Sequence, residues 1–126
     1  MSRALRLALL PLLIAGASLT ACKAKLEPPG DTGVCYHVAT NKDGSVHFNV
    51  MAKNVPDMEH CAGALEGMRL RFLSIGGSNT DIVGAYQGNF LFLQDEGVFT
   101  SDSYDGARYP FLVHSGNQLV PPGQAQ

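Results

Sequence analysis

From Val34 onward, apolar side chains fall first on alternate positions and then at intervals of three and four. That change of period predicts two strands followed by a helix. Val34 to Thr40 and Ser45 to Ala52 flank Asn41-Lys42-Asp43-Gly44, a turn signal between strand-like runs. Pairing Thr40 with Ser45 sorts the hairpin by parity. One face then holds Cys35, His37, Ala39, Val46, Phe48, Val50 and Ala52, and the other holds Tyr36, Val38, Thr40, Ser45, His47, Asn49 and Met51. The face with Cys35 is the more apolar and is expected to face the core. Val55-Pro56-Asp57 introduces the helix, with Asp57 as an N-cap whose carboxylate accepts otherwise unpaired amides. Met58, Cys61, Ala62, Leu65, Met68 and Phe72 form the expected buried stripe. Gly63 and Gly67 each weaken such a helix by about 1 kcal/mol relative to Ala. The alternation in Met68-Arg69-Leu70-Arg71-Phe72 leaves a strand open for the second half, and Gly76-Gly77-Ser78-Asn79 ends the segment either way.

Beyond it the chain reads as short strands, Ile82 to Tyr86, Phe90 to Gln94, Val98 to Ser101 and Arg108 to Val113. Gly88-Asn89, Asp95-Glu96-Gly97 and Asp105-Gly106 supply the turns, and Pro110 points to an edge position for the last strand. Two strands, a helix and a meander predict an α+β class: an antiparallel sheet with one helix packed on a face, in a single small domain over 34–113. Residues 23–33 are polar and rich in Pro and Gly and read as a flexible tether. Residues 114–126, with two prolines and no periodicity, read as a disordered tail.

The first residues follow a different pattern. Arg3 and Arg6 precede an apolar run from Leu7 to Leu19 that contains Pro11. The run is too short to span a bilayer, which needs about 20 apolar residues for roughly 30 Å of hydrocarbon. It has the layout of a secretory signal over residues 1–21. Leu19-Thr20-Ala21-Cys22 then resembles the lipobox of bacterial lipoproteins, an aliphatic residue and two small ones before Cys. The resemblance covers the signal and this tetrapeptide alone. It implies a diacylglyceryl group on the Cys22 thiol, cleavage before Cys22 and acylation of the new amino group. Several acyl chains hold a protein firmly where one binds marginally. Lys23 after the cysteine, where Asp would be the retention signal in familiar Gram-negative lipoproteins, implies sorting to the outer membrane, facing the periplasm.

With residues 1–21 removed, 105 of the 126 remain, enough for one domain. The signal takes two of the 9 basic residues, leaving 7 against 11 acidic ones, a net charge of −4. No basic run tracks a phosphate backbone, so nucleic acid is not an expected partner. The expected partners are the membrane, through the lipid, and an envelope protein.

With Cys22 assigned to lipid, Cys35 and Cys61 form an even pair in an exported domain, where oxidising conditions favour a disulfide. Its loop of about 26 residues would stabilise the fold by roughly 3–4 kcal/mol. A helix laid on the hairpin would bring Cys61 toward Cys35. The alternatives are two free buried thiols, or a metal site using Cys35, His37 and Cys61 with His60 nearby. His60 and Cys61 are adjacent on a helix, about 100° apart, which hinders both from reaching one ion. His47 projects to the polar face in this register, and His114 falls in the tail.

Other chemical signals are weak. Asp31-Thr32-Gly33 resembles the aspartic-protease triplet but occurs once, within the tether, and Ser101-Asp102-Ser103 stands without a Ser-x-x-Lys. There is no Gly-x-Ser-x-Gly elbow and no phosphate-cradling glycine loop. The aromatics of the C-terminal half are expected in the core or as cross-strand pairs, with a binding surface as the alternative if several are exposed together. No catalytic residue and no cofactor follow from the sequence. The reading is a non-catalytic, lipid-anchored module of the cell envelope. The alternative is a small enzyme or metal-binding factor using Cys35, His37 and Cys61, and a third possibility is a ligand carrier with a cavity between helix and sheet.

Overall fold

The computed structural model describes residues 26–78 and 81–124, so the signal-like segment and Cys22 lie outside the described residues. The chain forms β1 (Cys35–Thr40), β2 (Val46–Ala52), α1 (Met58–Ser74), β3 (Ile82–Tyr86), β4 (Asn89–Gln94), β5 (Gly97–Ser101), β6 (Tyr109–Ser115) and β7 (Gln118–Val120). All strands join one antiparallel sheet in the order β2-β1-β3-β4-β5-β6-β7. α1 packs on one face of it, against β3 and β4. The helix-on-sheet arrangement is as expected, but seven strands to one helix make the domain richer in sheet than an α+β label conveys.

The register of the first hairpin departs from expectation. The Asn41 amide donates to the Ser45 carbonyl at 2.8 Å, so the loop is Lys42-Asp43-Gly44, closed by Gly44 in the left-handed region at φ 87°. Thr40 therefore pairs with Val46, not Ser45. This one-residue slip turns Val46 and Phe48 onto the face of Tyr36 and Val38, away from the face of Cys35.

Both faces of the sheet are consequently apolar. On the helix side Cys35, Ile82, Tyr86, Leu91, Leu93, Val98 and Leu112 pack with Cys61, Ala62 and Leu65. Gly84 in β3 leaves room for Leu65, since a Cβ there would collide with the Leu65 side chain. The opposite face gathers Tyr36, Val38, Ala85, Phe90 and Phe92. The β5–β6 loop covers part of it: Tyr104 meets Phe90 edge-on at 5.6 Å, and the Arg108 guanidinium lies 3.6 Å over the Phe92 ring. Burial on both faces explains why Phe90 to Leu93 is an unbroken apolar run.

One open alternative closes and two further expectations are corrected. α1 continues through Met68–Phe72 as helix to Ser74. Residues 115–120 form a hairpin rather than a disordered tail, with Ser115 opposite Gln118 and Val113 opposite Val120. β6 is therefore not an edge strand. On its other side Pro110 has no strand partner, since β7 pairs only with residues 113–115, and toward β5 it lies opposite Phe99 beside an irregularity in the ladder.

Candidate functional site

The expected pair of cysteines meets. Cys35 on β1 and Cys61 near the start of α1 are joined by a disulfide with a Cα–Cα distance of 5.4 Å, and both are fully buried. With the bridge closed neither sulfur is a thiolate, so neither is a metal ligand. His37 is two residues on, half-buried in a groove of about 500 Å3 with Met68, Phe72 and Asp81. Burial lowers its pKa, favouring the neutral imidazole. His60 turns away to the helix start. Its backbone amide donates to Asp57 Oδ1 at 2.8 Å and its ring Nδ1 lies 2.6 Å from the same oxygen. These bonds hold the Asp57 carboxyl below the usual range and confirm it as the N-cap. Of Cys35, His37, His60 and Cys61, only the two cysteines come together.

The densest polar constellation is one that sequence reasoning missed. The buried stripe of α1 runs Cys61, Ala62, Leu65, Glu66 and Arg69, while Phe72 is 43% exposed. Positions 62, 65, 66 and 69 keep helical spacing, and the signal was obscured because charged residues occupy two of them. Arg69, only 4% exposed, donates from Nε to Glu66 Oε2 at 2.9 Å, from Nη2 to Glu66 Oε1 at 3.0 Å and from Nη1 to Asp95 Oδ1 at 3.0 Å. His114 on β6 completes the group, its Nδ1 2.9 Å from the Asp95 carbonyl oxygen and its Nε2 3.0 Å from Glu66 Oε1. Burial pushes the pKa of Glu66 up, but the bonds from Arg69 and His114 prevail and leave it below the usual carboxylate value.

The group fastens α1 to the β4–β5 turn and to β6, beside a cleft of about 300 Å3 formed with Leu70, Asn117 and Leu119. Both His114 nitrogens lie within hydrogen-bond distance of protein oxygens, which holds the ring in place beside that cleft.

The segment read as tether is fastened as well. The Tyr36 hydroxyl donates to Asp31 Oδ2 at 2.6 Å, a bond that raises the tyrosine's pKa. The Gly33 amide donates to Gln87 Oε1 at 2.9 Å, the Val55 amide to the Gly33 carbonyl at 2.8 Å and the Gly88 amide to the Pro29 carbonyl at 3.1 Å. Leu26 packs against the apolar cluster of the uncovered sheet face. Residues 26–33 thus form a strap, and the Asp31-Thr32-Gly33 triplet serves that strap.

The C-terminal aromatics are largely interior: Tyr86, Phe90 and Phe92 are buried and Tyr109 is 64% exposed. Exposed apolar side chains gather at the end of α1, with Leu70 and Phe72 on the helix and Ile75, 78% exposed, at its C-cap; Val50 on β2 is exposed as well. Comparison with family models, with curated proteins and with solved structures found no match for the chain.

Proposed function

We propose that this protein is a lipid-anchored lipoprotein of the bacterial cell envelope, sorted to the outer membrane, whose domain is a non-catalytic module that binds an envelope protein. The observation that carries the reading is Leu19-Thr20-Ala21-Cys22 after a signal-like segment, the resemblance to a lipobox. The Cys35–Cys61 disulfide supports export to an oxidising compartment. Leu70, Phe72 and Ile75 offer apolar side chains to a partner.

Mass spectrometry of the protein purified from membranes tests the anchor. The expected result is an N-terminal Cys22 carrying diacylglyceryl and acyl groups, and a Cys22→Ser variant that is released from membranes. An unmodified Cys22, or a variant that sediments with membranes unchanged, would overturn the reading. Binding is tested by capture with the lipidated protein: a partner retained by the unaltered chain and lost with Phe72→Ser and Ile75→Ser supports the module.

The second reading, a metal-binding factor using Cys35, His37 and Cys61, requires the bridge to open. Stoichiometric metal together with two reactive thiols in the purified protein would favour it.

A further inference from the structure

The two edges of the sheet are built differently. β7 has 3 residues and runs into Pro121 and Pro122, which offer no N–H to a further strand. β2 has 7 residues, without proline, glycine, lysine or carboxylate, and among the described residues it pairs only with β1. Edges of this second kind invite another strand, and most folds blunt them. The turn shows which atoms of β2 look outward. The Asn41 amide bonds the Ser45 carbonyl, and bonded and non-bonded pairs alternate along an antiparallel ladder. Ala39–His47 and His37–Asn49 are therefore bonded pairs, and Val46, Phe48 and Val50 turn their N–H and C=O away from β1. This open stretch is bounded at both ends. The Ser45 amide is taken by Asp43 Oδ1 at 2.9 Å, and the ladder is irregular between Cys35 and Tyr36, just after Val50. What remains is evenly spaced and centred on Phe48.

From this symmetry we infer that β2 pairs antiparallel with β2 of a second copy, about a two-fold axis at Phe48, joining two sheets into one. The axis sets Phe48 opposite Phe48 and Val46 opposite Val50, so every outward donor meets an acceptor. A shift by two residues leaves one outward residue of each copy unpaired, and a shift by one sets outward groups against inward ones. The side chains agree with the backbone. Val46, Phe48 and Val50 share the face of Tyr36 and Val38, so the seam is apolar against apolar there, and Val50 is 54% exposed in the single chain. On the face of α1 His47 meets Asn49, with no like charges opposed. Beyond the strand, the Asp43 end of each copy meets the Lys53 end of the other. The exposed Phe72 and Ile75 line a groove with Met51 of β2, so apolar surface gathers beside the seam on the helix side too. A self-complementary edge is what an isologous contact requires.

The test uses the full chain in detergent, with micelles in large excess over protein. Hydrogen exchange followed residue by residue should show the Val46, Phe48 and Val50 amides slowing about tenfold as the chain is concentrated. The His47 and Asn49 amides, bonded to β1, should be slow throughout. A nitroxide at Thr40→Cys, read by pulsed electron resonance, should report about 20 Å between copies, from three strand spacings and an offset of four residues. Val50→Pro removes an outward N–H and leaves the ladder with β1 intact. Val50→Lys sets a cation against Val46 of the other copy. Each should abolish both the concentration dependence and the distance while thermal unfolding stays unchanged.

Outward amides that exchange fast at every concentration would overturn the pairing. So would amides that are slow at every dilution, because the chain would then cover its own edge. A dimer that survives both substitutions uses another face and refutes it. Protection that appears only when a second envelope protein is added assigns the edge to a foreign strand and refutes it equally. None of these readouts depends on acylation of Cys22, so a failed anchor and a failed pairing are told apart.

Discussion

α1 is fastened to the sheet at two places by different chemistry. Near its start the Cys61–Cys35 bond is covalent and fully buried. In its second half Arg69 and Glu66 hold it by charge-assisted bonds to one another, to Asp95 and to His114. A disulfide acts chiefly by restricting the unfolded chain and is indifferent to pH and partner loss. A buried ion group exists only in the folded state, and removing one member strands the others in a low-dielectric interior. The two fastenings therefore fail in different ways.

The largest effect is expected from breaking the ionic one unevenly. Arg69→Leu leaves Glu66 buried without its guanidinium and should cost about 3–5 kcal/mol in urea unfolding, whereas Glu66→Leu combined with Arg69→Leu should cost far less. If the double variant is as unstable as the single one, Arg69 matters for its packing and not for charge. Opening the covalent fastening with Cys35→Ala and Cys61→Ala should cost about 3–4 kcal/mol, by the same assay, for a separation of 26 residues. Between the two, Gly84→Ala would drive a methyl into Leu65 and should cost about 1–3 kcal/mol.

Acid separates the fastenings more finely. Glu66 ionises below its ordinary value in the folded chain, so its contribution is present above the usual carboxylate range and lost as pH falls through the folded value. Stability measured from pH 6 downward should fall less steeply in Glu66→Gln, while the cysteine double variant should keep the native slope. The smallest effect is expected from Asp57→Ala. It removes the acceptor for the His60 amide and should speed hydrogen exchange in the first turn of α1 alone.

Legibility followed the reach of each interaction. The existence of β1, β2, α1 and the meander could be read from periodicity, because local backbone preference and one-sided burial leave their period in the chain. The hairpin register could not be read, because the turn closed as the three-residue loop Lys42-Asp43-Gly44, with Gly44 at φ 87°, and that one-residue shift in pairing reversed which side chains share a face. The buried face of α1 was obscured by Arg69 and Glu66 at core positions, where the rule that charges face water fails once the charges satisfy one another. β7 was hidden by flanking prolines, since three residues paired with β6 leave little signal of their own.

By itself the sequence determined the order of the elements from β1 to β6 and the cap at Asp57, and, with Cys22 read as the lipid anchor, it led to the pairing of Cys35 with Cys61. These depend on neighbours along the chain or on a residue type that occurs few times in it. Tertiary structure alone decided that Glu66, Arg69, Asp95 and His114 would assemble and that Leu26 to Gly33 would lie down as a strap. Both depend on side chains far apart in sequence meeting donors and acceptors that folding had first to place within about 3 Å of one another.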